Sequence, residues 1–187
     1  YHSLTPEKRD RWKTHLAERF EKPKSQVALD DWKRANSWKI PSLIGVGLDA
    51  ALRPCEVERA TLDWVDLDNG ALRIPRSDAA KNRDHWVVSL RDDTTDRLAR
   101  WLDQRPNHDE YIDSEKIWLT KFGNPYQSSS LSYVLENLCE DAGIDFANRD
   151  LSWYAIRHST ATYLADEGDL GAAQTQLRHR SEKSTMK

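Results

Sequence analysis

Residues Ala51–Asp68 read ALRPCEVERATLDWVDLD, and the pattern of the whole chain turns over within them. Pro54 cannot continue a helix arriving from Leu52, because it lacks an amide hydrogen and its ring clashes with the preceding turn, yet it suits the first position of a new helix. Arg53 therefore stands just ahead of a helix N-terminus, where free amides and the positive end of the helix dipole favour an anion such as phosphate. The plain alternative is a surface ion pair between Arg53 and Glu56. Past this helix the spacing changes from helical to alternating.

The alternation runs through DWVDLDNGALRIPRSDAAKNRDHWVVSL, residues 63–90. Asp68-Asn69-Gly70 reads as a hairpin turn, residues 76–84 as a polar loop and residues 85–90 as a further strand, so a three-stranded antiparallel sheet is expected. Lys81 lies in that loop beside Arg76 and Arg83. A flexible ammonium on a hairpin tip can reach into a groove and protonate a departing oxygen, although a loop lysine standing alone is ordinarily just solvated.

On either side of the sheet the period is helical. TPEKRDRWKTHLAERF (5–20) offers Thr5 as N-cap, Pro6 at the first helical position, Glu7 in the first turn, and Trp12, Leu16 and Phe20 on one face. Residues 28–52 read as one or two helices with a joint near Pro41, and another helix opens at Pro54. DDTTDRLARWLDQRP (92–106) and SSSLSYVLENLCEDAG (128–143) resume the spacing, the second closing at Gly143. The closing stretch, from Ser152 to Lys187, supplies two more helices with a break at Gly168. The fold class is therefore α+β, mostly helical with one small sheet.

Composition bounds what such a fold can do. At 187 residues the chain suits one domain with a real core, or one domain carrying a small helical annex. The longest apolar stretch, IPSLIGVGLDAAL at 40–52, is too short and too interrupted to span a bilayer, so a soluble cytoplasmic protein without a membrane partner is expected. Cys55 and Cys139 fit neither a CxxC nor a secreted pattern and read as reduced core thiols, with no metal site implied. The net charge of −3 has the wrong sign for an ordinary nucleic-acid binder. A start at Tyr1 rather than Met suggests an excised domain.

Two further segments carry chemistry. In SWYAIRHSTATYLA (152–165), Trp153, Ile156, Thr160, Tyr163 and Leu164 form a core stripe at about 100° per residue. Tyr154, Arg157 and His158 fall together on the neighbouring side, where a phenol, a guanidinium and an imidazole converge; such a trio on an exposed helix face is commonly inert. In QLRHRSEKS (176–184), His179 stands between Arg178 and Arg180 ahead of Ser181, the N-cap of a last helix; the bland reading is a basic turn that binds nothing.

The order of these four segments resembles the tyrosine recombinase or phage integrase family, over the whole chain. The resemblance makes residues 1–187 a catalytic domain without the N-terminal core-binding domain. It implies that Arg53, in its RPCE context ahead of Trp64 and Asp66-Leu67-Asp68, is the first catalytic arginine and Lys81 the hairpin lysine. Arg157 becomes the second arginine, Tyr154 stands where the family usually has histidine, and His179 is the third-box histidine, preceded by Arg178 where glycine is common.

The same resemblance implies site-specific cleavage and rejoining of double-stranded DNA through a 3′-phosphotyrosyl bond, with no cofactor, no metal and a tetramer assembled on DNA. Arg76, Arg83, His158, Arg178 and Arg180 would be additional DNA-facing groups. The family's nucleophilic tyrosine follows the third-box histidine by about nine residues, which falls immediately after Lys187. Two other functions fit the same motifs. One is a degenerate, non-cleaving DNA-binding module, favoured by the acidic balance and by Tyr154; the other is strand breakage of the type IB topoisomerase kind.

Overall fold

In the computed structural model, which describes residues 5–79, 85–146 and 151–166, the chain divides into two units, Tyr1–Trp38 and Lys39–Lys187. The first unit holds α1 (Pro6–Arg19) and α2 (Leu29–Ala35). Thr5 caps α1 as its sequence requires, accepting from the Lys8 amide at 3.4 Å, with Pro6 in the first turn. Trp12 meets Trp32 edge-to-face at 4.7 Å, and the Arg34 guanidinium lies 4.6 Å from the Phe20 ring centroid. Asp31 is paired with Lys22 and accepts the Ala28 amide at 2.8 Å; the Lys22 ammonium holds its carboxyl below the usual range.

The second unit opens with α3 (Lys39–Ala50), followed by α4 (Pro54–Arg59), β1 (Val65–Asp66), β2 (Ala71–Ile74), β3 (Trp86–Ser89), α5 (Asp92–Gln104), α6 (Ser128–Asp141) and α7 (Trp153–Asp166). The joint expected near Pro41 falls earlier, at residues 36–38. Pro41 lies inside the first turn of α3, where its missing amide hydrogen would have had no partner in any case. The sheet is antiparallel in the order β1-β2-β3, with Leu72 opposite Val88 and Ile74 opposite Trp86, and Asp68-Asn69-Gly70 lies in the turn between β1 and β2. After α6, Gly143 takes φ 65° and the Ile144 amide bonds back to the Cys139 carbonyl at 2.8 Å, the closure that glycine permits.

Burial explains how the elements hold together. Trp64, Trp101, Trp118 and Trp153 are buried almost completely. The indole nitrogens of three of them donate inside the core, Trp101 to the Ile117 carbonyl at 2.8 Å, Trp118 to Ser42 Oγ at 3.0 Å and Trp153 to the Leu52 carbonyl at 2.9 Å. Asp49 on α3 fixes the start of α5, accepting the Arg91 amide at 2.9 Å and its Nε at 2.8 Å. Cys55 and Cys139 are free thiols, but both are half-buried, which corrects their reading as core residues: the buried positions of their helices are Pro54, Glu56 and Val57 on α4 and Leu131 and Leu135 on α6. Among the described residues no helix is long and apolar enough to cross a membrane.

Tyr111 and Tyr126 are buried phenols. Burial raises both ionisation points, that of Tyr126 to about 12 from an ordinary value of 10.0. Because the folded value lies above the unfolded one, their stabilisation is complete below about pH 10 and is lost as pH rises toward 12, by about 1.4 kcal/mol per pH unit for each phenol. Unfolding measured across pH 8–12 should show that decline, and Tyr126→Phe should make it shallower.

Candidate functional site

The site begins with the end of α3. A helix leaves its last carbonyls without intrahelical partners, and here α7 supplies them. Thr160 Oγ donates to the Leu48 carbonyl at 2.6 Å, Arg157 Nη1 donates to the Ala51 carbonyl, and Trp153 Nε1 donates to the Leu52 carbonyl. The three side chains stand at i, i+4 and i+7, so one face of α7 lies along the α3 terminus. Ala51 turns the chain there with φ 45°, a left-handed conformation uncommon outside glycine. Gly47 makes room for the Trp153 ring, since a Cβ at that position would come within 2.6 Å of Trp153 Cζ2.

Two residues beyond Ala51, Arg53 caps α4 with Pro54 in its first turn. Its side chain has no acceptor to offer the helix, so Glu56 does the capping from within. Glu56 Oε2 accepts the Arg53 amide at 2.8 Å while Oε1 accepts from the guanidinium at 3.3 Å. The expected ion pair is therefore real, but it is not a surface pair: the Glu56 side chain is 1% exposed and that of Arg53 11%. The carboxylate thus fixes both the backbone and the head group of Arg53 in a largely dry setting.

Burial also corrects the reading of α7. Tyr154, Arg157 and His158 do not share one exposed face, because Arg157 is buried at 6% exposure while Tyr154 stands at 45% and His158 is exposed. By helical angle Arg157 lies nearer to Trp153 than to His158, at the margin of the core stripe. Tyr163, expected in that stripe with Trp153, Ile156 and Thr160, is 63% exposed. A helical period fixes the direction of a side chain and not how far the opposing surface extends. The side chain of Leu164 lies outside the described residues.

Arg76 is exposed just past β2. Lys81 and Arg83 lie outside the described residues; the strands before and after them pair with Ile74 opposite Trp86. Arg178, His179, Arg180 and the expected last helix also lie outside them. The structure therefore brings Arg157 to the turn that leads into Arg53, and adds three positioning residues that sequence reading did not assign to the site, Gly47, Trp153 and Glu56. Two signals were legible, the i, i+4, i+7 spacing of Trp153, Arg157 and Thr160 and the i, i+3 spacing of Arg53 and Glu56. Among the described residues no group of His, Cys, Asp or Glu is arranged to hold a metal ion. Chemically, the junction holds two guanidinium groups by packing, and a guanidinium is the group suited to planar, forked recognition of an oxyanion.

Residues 25–187 match the model of the phage integrase family. Tyrosine recombinase XerA of Thermococcus kodakarensis is 29% identical over 138 residues, which cover 73% of this chain and 45% of that protein. The chain thus spans less than half the length of that curated relative. Among solved structures, that of XerA recombinase superposes with a TM-score of 0.69 at 18% identity, covering 99% of this chain and 78% of that one. XerH site-specific recombinase bound to its difH substrate gives 0.64 at 19% identity, covering 80% of this chain and 42% of that one. These similarities show a shared fold.

Proposed function

The chain belongs to the phage integrase family, and on that premise we propose that it is the catalytic domain of a site-specific recombinase that cuts and rejoins duplex DNA through a 3′-phosphotyrosyl intermediate. In this reading residues 1–187 serve as that domain, with Tyr1–Trp38 a helical annex to it. The observation that supports it most is the packing of α7 across the end of α3, which carries the Arg157 guanidinium to the Ala51 carbonyl, two residues from Arg53. Solved relatives held with DNA, such as XerH on difH and lambda integrase on a core site, support the same direction.

The chemistry follows from charge. A tyrosine hydroxyl loses its proton to solvent and its oxygen attacks the scissile phosphorus, negative charge grows on the non-bridging oxygens, and the 5′ oxygen departs. Arg53 and Arg157 donate to the non-bridging oxygens through rigid forks that stay charged at any working pH. His179 donates to the same phosphate. Lys81 gives a proton to the departing 5′ oxygen, and Tyr154 contributes a hydrogen bond where an imidazole would also accept a proton. The attacking tyrosine in this account is the residue expected immediately after Lys187. Because the phosphodiester is exchanged for a phosphotyrosine, rejoining is the reverse attack by a 5′ hydroxyl, and no step consumes a nucleotide. The natural protein acts as an assembly of several copies on its DNA.

Affinity for duplex DNA tests this reading, because the molecule as a whole is acidic and only a local cationic face can bind. Each neutralised phosphate contributes roughly −0.9 to the slope of log affinity against log salt, so a face built from Arg53, Lys81, Arg157, Arg178, His179 and Arg180 should give a slope on the order of −3 to −5. Fluorescence anisotropy across a salt series measures it directly. Lys81→Ala should flatten the slope by no more than about one unit. A response independent of salt would remove the DNA face and the function with it.

A further inference from the structure

Phe122 is the most exposed large apolar side chain among the described residues, at 77%. It stands at the tip of a tight loop, closed by the Gly123 amide on the Thr120 carbonyl at 3.1 Å and the Thr120 amide on the Asn124 carbonyl at 2.8 Å. Lys121 lies beside it, its ammonium 5.0 Å from the ring centroid. The tip is thus a cationic, apolar knob on a backbone that its own hydrogen bonds hold.

The same unit carries a groove of matching character. Leu62, Val65 and Leu67, at the entry to the sheet, and Leu102 on α5 line a groove of about 480 Å³, with Asp66, Asp68 and Arg73 completing the wall. Arg73 Nε is bonded to Asp66 at 2.8 Å, so its charge is offset inside the wall. Asp68 is exposed, as are Asp63 and Asp103, the chain neighbours of Leu62 and Leu102. An apolar floor flanked by the exposed Asp68 carboxylate disfavours a phosphate backbone and attracts an apolar side chain that arrives with a cation. At about 480 Å³ the groove has room for an aromatic ring together with the side chains that flank it.

We propose that the Lys121–Phe122 tip of one copy of this chain docks in the Leu62/Val65/Leu67/Leu102 groove of a second copy. Knob and groove are different patches of one unit, so the contact is heterologous: each copy offers one of each, and repetition closes a ring or extends a chain. A single aromatic anchor makes a small, weak interface that is reinforced when several copies are held together on one DNA. The inference rests on the self-association named above, but it concerns protein alone and is tested without DNA.

The test is complementation. Phe122→Asp removes the knob and leaves the groove, while Leu67→Asp spoils the groove and leaves the knob; both positions are exposed, so the folded unit should persist, as its melting curve will verify. In sedimentation velocity from about 10 to 300 μM, a range suited to a weak contact, the wild type should gain mass with concentration. Each variant alone should stay monomeric, and a mixture should form a one-to-one pair that grows no further. Exchanging charges, Lys121→Asp with Asp68→Lys, should restore association that each change alone weakens by up to about fivefold. A monomeric wild type, a mixture that does not pair, or a loss of duplex binding by dilute Phe122→Asp would overturn the proposal, the last by assigning Phe122 to DNA.

Discussion

Trp153→Ala will lower the unfolding free energy by about 3–5 kcal/mol, the range for deleting a large buried aromatic side chain. The ring is 0% exposed and fills a place that Gly47 exists to leave open. Its loss empties that space and strands the Leu52 carbonyl, which accepts the indole N–H at 2.9 Å. Tyr163→Ala, on the same helix but 63% exposed, should change stability by no more than about 0.5 kcal/mol. Urea titrations of the two variants make the comparison. A Trp153→Ala loss below about 1 kcal/mol would mean that α7 is not fastened to the α3 terminus as described.

That fastening was only partly legible in the sequence. The helices among the described residues, the hairpin turn and the three strands follow from Pro, Gly and apolar spacing, because those signals act within a few residues of themselves. The segment between α5 and α6 carries no such signal. Ile117, Trp118 and Leu119 are buried in succession, with exposures of 0%, 1% and 2%, so neither a period of two nor one of 3.6 marks them. Arg105 is equally unreadable from spacing, a buried arginine whose Nε donates to the Lys116 carbonyl at 2.9 Å. Arg157 taught the same lesson at the site. Its place in the motif was visible, but its bond to a carbonyl 106 positions away belongs to the tertiary fold alone. The Arg53–Glu56 pair was legible as a pair and not as a buried one, since burial depends on everything packed around it.

Arg53→Lys and Arg157→Lys, made in the natural full-length protein, will each slow formation of the covalent DNA adduct by at least about a hundredfold, the usual effect of removing one aimed donor from a developing oxyanion. Lysine keeps the positive charge, so duplex affinity should stay within a few-fold of the wild type. What it lacks is the planar fork that serves two oxygens at once. At position 157 it can still donate to the Ala51 carbonyl, which separates chemistry from folding. At position 53 the Glu56 carboxylate keeps both an amide and a cationic partner. An equal loss of affinity and of rate would indicate instead that the arginines merely hold DNA.

If the Arg53–Arg157 junction grips a scissile phosphate while a tyrosine takes it over, protein and DNA become covalently joined. The most direct measurement incubates the natural full-length protein with an end-labelled pool of nicked, sequence-randomised duplexes, stops the reaction with SDS and counts label retained with protein. This mechanism requires retained label that phosphotyrosine-specific digestion releases, that EDTA does not diminish, and that nearly disappears in both lysine variants. No SDS-stable label, or label that survives unchanged when both arginines are replaced, would contradict it.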